Sequence, residues 1–336
     1  MVCAAEPLLK ISPAGLYCEP GGFHIDPWEP VERAIITHAH GDHACPGSAN
    51  YLTARAGERL LRARAGDEAP IEAIEYGESL AAGGVRVSLH PAGHILGSAQ
   101  VRIERAGQVW VVSGDYKLAP DPTCTPFAPV RCDTFVTEST FGLPIYRWPP
   151  EPDVAAGIGA WWRANREAGK ASVLFAYALG KAQRVLAAVD ASIGPIYSHG
   201  AVENVNAAYR AAGVTLPVTI PVAGLPNSTD WSRALILAPP SCLGTPWMRR
   251  FGNVSTAFAS GWMRIRGARR RRSLDRGFVL SDHADWPELN RAIAATGAAR
   301  VWVTHGDRAP LVQWLAEKGY DAQAVETRFE DAGEEA

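Results

Sequence analysis

Several apolar runs in this chain stop abruptly on an imidazole or a carboxylate: RAIITH at His38, VWVVSGD at Asp115, DTFVTE at Glu138 and ARVWVTH at His305. A short run of this kind reads as a buried strand. The residue that ends it leaves the core at the strand's C-terminal end. Repeated along the chain, the pattern points to strands that deliver ligand-type side chains at their ends, which ordinary core packing does not require.

The densest example is THAHGDH, which supplies His38, His40, Asp42 and His43 within six residues. Four donors in one turn cannot all face a single ion at tetrahedral geometry, but they can divide between two adjacent ions. Zinc accepts both imidazole and carboxylate. His94, in HPAGHILGS, follows another strand and can complete a three-histidine set with His38 and His40. Asp115 can bridge two metals, and His305 can be the last ligand of the second ion beside Asp42 and His43. The competing reading of THAHGDH is a polar loop that happens to be rich in histidine. Asp26, at the end of GGFHID, is the candidate for holding the histidine loop, since a metal-bound imidazole needs its other nitrogen fixed; an Asx turn before Pro27 is the alternative.

Composition narrows the class. With 33 Lys+Arg against 35 Asp+Glu the formal net charge is −2, which argues against a wholly basic nucleic-acid binder but not against a local basic patch. At 47% hydrophobic and 20% charged, the chain is ordinary for a globular protein, and 336 residues suggest two domain-sized units. The six cysteines form no CxxC pair. The N-terminal residues lack a basic stretch followed by an apolar run, and no uninterrupted apolar stretch is long enough to span a membrane. A cytoplasmic protein with reduced thiols is the expectation.

The first 140 residues read as short strands broken by Gly/Pro turns, with a helical segment at 54–65. From about Pro149 the pattern becomes a helix (EPDVAAGIGAWWRANREAG), a strand (ASVLFAYA) and a helix (LGKAQRVLAAVD), an alternation that suggests a small parallel-sheet unit. The strand-then-ligand style resumes with GFVLSDH. A helix (PELNRAIAATG), a strand (ARVWVTH), a helix (APLVQWLAEKG) and an acidic tail follow. The middle third reads as an insertion into a domain whose two parts flank it.

HxHxDH with His94, Asp115 and His305 resembles the metallo-β-lactamase fold. TEST at 137–140 is similar to the first motif of that fold's β-CASP nuclease branch, ALGKAQ at 178–183 to a helix start in its cap, and SDHAD at 281–285 and THGD at 304–307 to its later histidine motifs. The resemblance covers nearly the whole chain and is strongest to the bacterial ligase-associated DNA exonuclease group. It implies an α/β fold: a metallo-β-lactamase αββα sandwich formed by residues 1–145 and 280–336, with a β-CASP-like α/β cap at 146–279. It also implies a zinc-dependent exonuclease acting in DNA repair, hydrolysing phosphodiester bonds with a hydroxide activated by two Zn2+ ions, Mn2+ being the alternative metal. An ATP-dependent DNA ligase and a helicase are the expected associates, and no membrane is involved. His305 is shared with RNA-cleaving members, so an RNA-processing nuclease is the alternative.

Within that resemblance His283 is the candidate general acid for the leaving oxygen, and Glu138 the candidate that orients it; Asp42 joins them in the catalytic set. On the substrate side, Arg264, Arg266, Arg269, Arg270, Arg271 and Arg272 fall within nine positions, with Trp247, Arg249, Arg250 and Trp262 nearby. Guanidinium groups pair with phosphate and aromatic rings stack on unpaired bases, while a solvated charge run is the plain alternative. Gly180 and Lys181 at a helix start are further candidates for phosphate, and Lys117 a weaker one. His24, His90 and His199 are read as packing or strand-end residues. Ser139 and Thr140 are read either as phosphate donors or as caps of a turn.

Overall fold

The computed structural model describes residues 6–265 and 274–328. Its fold is mixed α/β, with three sheets divided between two compact units. One unit joins the described residues up to Ile145 with those from His283 onward; the other is Tyr146–Asp282. Among the described residues no helix is long and apolar enough to cross a membrane.

The first unit holds a six-stranded and a seven-stranded sheet. The six-stranded sheet runs Lys10–Ser12, Gly15–Cys18, Phe23–Ile25, Ala34–Ile35, Tyr51–Ala54, Ile71–Ile74 in spatial order. Its first two pairings are antiparallel and the remaining three parallel. The seven-stranded sheet runs Asp321–Ala324, Arg300–Thr304, Thr134–Glu138, Gln108–Val112, Ala99–Arg105, Val85–Pro91, Ser79–Ala82.

Side-chain alternation explains why several of these strands read as continuous apolar runs. Trp110 and Val112 enter a cluster with Phe23, Ile25 and Ile35 of the other sheet, while Val111 between them enters a cluster with Leu289, Ile293 and Leu311. Trp302 likewise faces the first cluster, and Val301 and Val303 the second. The two sheets therefore pack on each other, and helices Trp286–Thr296 and Arg308–Glu317 cover the far side of the larger one. Helix Glu58–Ala65 packs Leu61 against Ala34 and Ile36 on the far side of the smaller sheet. A strand buried on both faces has no polar side to show, so its sequence loses the period of two.

Strand direction then places the loops. Val85–Pro91 is antiparallel to Ala99–Arg105, which is antiparallel to Gln108–Val112; that strand is parallel to Thr134–Glu138, and Thr134–Glu138 to Arg300–Thr304. Hence the strands that precede His94, Asp115 and His305, and the one that ends in Glu138, all finish at one edge of the sheet.

In the second unit six parallel strands lie in the order Ile220–Pro221, Ile196–Ser198, Leu235–Ala238, Ala171–Phe175, Val254–Ala259, Arg276–Phe278. Helices Glu151–Glu167, Lys181–Ala188 and Gly200–Ala211 bury Trp162, Val185 and Val202 against Leu174, Leu235 and Leu237. The opposite face packs Val173, Ile236 and Phe258 against Trp231, Cys242 and Phe251.

Three elements differ from the sequence expectation. Helix Gly200–Ala211 stands where YSHGA suggests only a surface or packing histidine, and His199 caps it by accepting the Ala201 amide at 3.1 Å. The segment expected to be an acidic tail first forms the edge strand Asp321–Ala324, whose DAQA sequence carries no apolar alternation. The helical segment at 54–65 resolves into a short 3-10 turn, Arg55–Gly57, followed by the α-helix.

Candidate metal centre

His38, His40, Asp42 and His43 follow strand Ala34–Ile35 on a loop that Asp26 organises. Asp26 adopts φ 46, a left-handed conformation that short polar residues tolerate better than most. Its Oδ1 accepts the Thr37 amide at 2.8 Å, and its Oδ2 accepts the Thr37 hydroxyl at 2.6 Å and lies 2.8 Å from His43 Nδ1. Thr37 Oγ1 in turn lies 3.0 Å from His38 Nδ1. Both imidazoles therefore have Nδ1 engaged, and Nε2 is turned inward. Gly114 makes this approach feasible: at φ 55, a Cβ there would meet Thr37 Oγ1 at 2.6 Å.

The inward nitrogens converge on one another. His40 Nδ1 is 3.1 Å from His38 Nε2 and 3.1 Å from His94 Nε2. Three ligands on a tetrahedral ion stand at about this spacing, given Zn–N bonds of about 2.0–2.1 Å. Asp115 Oδ2 lies 3.4 Å from His38 Nε2, 3.3 Å from His43 Nε2 and 3.8 Å from His94 Nε2. His43 Nε2 and Asp115 Oδ1 are buried without a hydrogen-bond partner. Two of the clustered donor sets are His38, His40, His94 and Asp115, and Asp42, His43 and His305, and Asp115 also clusters with Glu138 and His283. The donor atoms within each lie within 4.8 Å of one another, so each group can hold a divalent metal.

Electrostatics agree with that fit. Burial pushes the His43 imidazole pKa down, but the carboxylates of Asp115, Asp42 and Asp26 outweigh it and hold the pKa well above its ordinary value. The proton they retain stands where a cation would serve. Burial alone would raise the Asp115 carboxyl; His43 and His283 instead bring it well below the usual carboxylate range. Burial, joined by His43, lowers His38 well below the usual imidazole value, and burial lowers His305 too. Neutral imidazoles are the form that binds metal.

His305 reaches the second group through a non-glycine left-handed turn at φ 50, its ring stacked on His43 with centroids 5.0 Å apart. Ser139 holds that turn: its hydroxyl donates to the carbonyls of Thr304, at 3.1 Å, and of His305. Ser139 is therefore a buried support of the His305 turn. Glu138 lies beside the first group. Its Oε1 accepts the Tyr116 amide at 2.8 Å, and its Oε2 is 2.9 Å from His283 Nδ1. His283 Nδ1 is also 4.0 Å from Asp115 Oδ2, and its ring leans on His94 at 4.6 Å.

All of the sequence-derived metal candidates, with Asp26, Glu138 and His283, are thus brought together. Thr37, inside the THAHGDH motif, and Tyr116 support them, a role that no spacing in the sequence announces. The expected substrate residues fare differently. Lys181 is buried and faces Asp282 at 3.2 Å, and the Gly180 amide donates to Gln183 Oε1 at 2.8 Å, so neither presents the free phosphate donor expected of it. Arg264 is exposed at the end of a 3-10 turn. Arg266, Arg269, Arg270, Arg271 and Arg272 lie outside the described residues. His24 and His90 pair with Ser12 at 3.1 Å and Ser88 at 3.0 Å, away from the donor groups.

No protein-family model matches the chain. Among curated proteins, it is 32% identical over 314 residues to a protein of Opitutus terrae named "Probable DNA ligase", covering 93% of this chain and 30% of that protein. It is 34% identical over 123 residues to "Endoribonuclease ysh-1" of Neurospora crassa, covering 36% of this chain and 14% of the other. Similarity to "Cleavage and polyadenylation specificity factor subunit 3" of Dictyostelium discoideum is 31% over 126 residues, 36% of this chain and 16% of that one. The chain thus spans less than a third of the length of these relatives. Among solved structures, a protein of unknown function from Enterococcus faecalis V583 shares the fold, with TM-score 0.59 and 12% identity over 89% of this chain and 80% of that one.

Proposed function

Because the chain belongs to the metallo-β-lactamase/β-CASP nuclease family, we propose that it is a metal-dependent phosphodiesterase that digests DNA as an exonuclease in repair. In this reading the first unit is the αββα sandwich of the fold and Tyr146–Asp282 the β-CASP-like cap. The observation that carries it is the presence, in one unit, of two donor groups meeting at Asp115 with the Glu138–His283 pair beside them.

His38, His40 and His94 would hold one divalent ion, Asp42, His43 and His305 the other, and Asp115 would face both. Zinc suits this donor set, and manganese is the alternative. Two such ions would supply Lewis-acid polarisation of a phosphate and ionisation of water near neutral pH. The chain's own residues do the remaining work. Asp26 and Thr37 keep the imidazoles of His43 and His38 in one orientation. The Tyr116 amide fixes Glu138, and Glu138 engages His283 Nδ1, which leaves Nε2 to give a proton to the departing oxygen. Arg264 and the arginines at 266–272 are assigned to phosphate contact.

The ligase-named relative, similar over 93% of this chain, supports DNA and a working association with a DNA ligase. The endoribonuclease relatives support an RNA-processing nuclease as the second reading. Digesting DNA and RNA strands labelled at either end, with metal-stripped protein as control, separates the two. Stepwise shortening of DNA from one end is expected; internal cuts, or a preference for RNA, would overturn the proposal.

A further inference from the structure

Glu288 lies on the first turn of helix Trp286–Thr296 and is only 6% exposed. Asp285 caps that turn by accepting the Glu288 amide at 3.0 Å. An acidic residue at this position gains from the helix dipole while it stands in water, so the dipole gives no reason to bury it. Burial of a carboxylate costs free energy unless it is well bonded, and Glu288 Oε2 has no hydrogen-bond partner among the described residues. The other oxygen supplies the reason. Oε1 accepts the Ala119 amide at 2.9 Å, from 169 residues away in the chain, with Arg291 Nη2 at 3.6 Å.

Ala119 closes a segment that begins at Asp115. Residues 115–119 belong to no helix or strand, and their backbone is tied to each neighbouring part of the site. The Tyr116 amide donates to Glu138 Oε1 at 2.8 Å, and the Lys117 amide donates to the carbonyl of Ala92, two residues before His94, at 3.1 Å. The Tyr116 carbonyl accepts the amide of Ala284, the neighbour of His283, at 2.7 Å. The helix that His283 leads into thus meets the Asp115 segment at two points, Ala284 on Tyr116 and Glu288 on Ala119. Tyr116, Ala284, Trp286 and Leu289 also share one apolar cluster. Apolar packing is non-directional; it presses the helix onto the segment without fixing where along it the helix sits. A single directional bond leaves a pivot. The second one sets the orientation.

We propose that Glu288 is a positioning residue for His283: its bond to the Ala119 amide locks the helix entry onto the Asp115 segment, so that the imidazole stands 2.9 Å from Glu138 Oε2. This rests on the reading of His283 as proton donor. Asp115, Ala119, Glu138, His283 and Glu288 all belong to the first unit. A misplacement of about 1 Å in a reacting group can cost about a hundredfold in rate.

The test uses the full chain with its metals. Glu288→Met should lower kcat roughly 10- to 100-fold at unchanged KM, with metal content per chain retained. Glu288→Gln keeps an acceptor for the Ala119 amide and should recover most of the loss. Assays run well below each variant's unfolding midpoint separate positioning from stability: a lowered midpoint with unchanged kcat overturns the proposal. So does a loss of metal in Glu288→Met, or a Glu288→Gln as slow as Glu288→Met. Should Glu288→Met fail to fold, Glu288→Asp keeps the first-turn charge on a side chain one methylene too short to reach; wild-type kcat there also overturns it. His283→Ala keeps the two levels apart. Added to His283→Ala, Glu288→Met should cost little further kcat, because both act on one proton transfer. A full additional loss there sinks the positioning role alone, whereas wild-type kcat in His283→Ala by itself sinks the underlying reading as well.

Discussion

In the second unit the buried side of Glu203 is fully engaged: Ser198 and Thr219 hydroxyls donate to Oε2 at 2.6 Å each, and Arg210 donates to Oε1 at 2.9 Å. In the first unit Asp115 has His38, His43, His94 and His283 nitrogens at 3.3 to 4.0 Å from one oxygen and no hydrogen-bond partner on the other. Both carboxylates sit among polar groups, yet only one set is complete. A satisfied network stabilises one arrangement of the chain, while an array of acceptors aimed at a common point is a folding liability until a cation fills it. The contrast separates structural polar groups from a site by whether their hydrogen bonds are complete.

The largest effect that could break this comparison lies at Asp115. Asp115→Ala removes the group both donor sets face, so cleavage should fall by about a thousandfold or more, equivalent to about 4 kcal/mol. Elemental analysis should show metal lost with it, and Asp42→Ala should lose one of the two ions. Zinc at a hundred times its Kd should stabilise the wild-type protein by about 2.7 kcal/mol, and Asp115→Ala should lose most of that response. Thermal unfolding indifferent to zinc in the wild type would mean that the unsatisfied array is not a metal site. Next in size is His283→Ala, expected to cost about 10²- to 10⁴-fold in cleavage with both metals retained. Equal activity of that variant would remove the proton-transfer role.

The same contrast explains what could be read from the sequence. Metal-ligating residues follow local rules: His38, His40, Asp42 and His43 share one turn, and Asp115 and His305 follow apolar runs whose ends are visible in the chain. Their convergence needs only strands with a common direction. Pairings between residues far apart in the chain leave no such trace. Lys181 at a helix start looks like a phosphate ligand because its partner Asp282 is far along the chain, and nothing near Lys181 announces it. Thr37 is visible in its motif, but only folding shows that its hydroxyl joins Asp26 to His38. Helix Gly200–Ala211 and strand Asp321–Ala324 escape notice for a related reason. The helix buries only Val202, Asn206 and Tyr209, and the edge strand buries nothing, so neither needs a strong apolar period.

Asp26 lies between the two kinds of group, itself satisfied while it aims an unsatisfied one. Asp26→Asn keeps the size of the side chain and suits the left-handed backbone at φ 46, so it isolates the charge and the hydrogen bond to His43. Metal affinity, measured by competition with a chelator, should weaken about 10- to 100-fold. Unchanged affinity would mean that the loop's shape alone positions His43.

The smallest expected effect is in the completed network and appears in stability alone. Burial would raise the Glu203 carboxyl, but Ser198, Thr219, Arg210 and Asn206 outweigh it and hold it below the ordinary value. A depressed folded pKa contributes stability that is fully present above the unfolded carboxylate value, about 4.3, and is lost as pH falls through the folded value. Glu203→Gln should therefore unfold more easily than wild type at pH 7, by at most about 1 kcal/mol because the side chain is partly screened by solvent. The difference should shrink as the pH drops below about 4. Cleavage at pH 7 should be unchanged, since the network touches none of the metal donors. A difference that persists at pH 2 would trace the effect to lost packing instead of charge, and a loss of cleavage would erase the distinction between the two kinds of carboxylate.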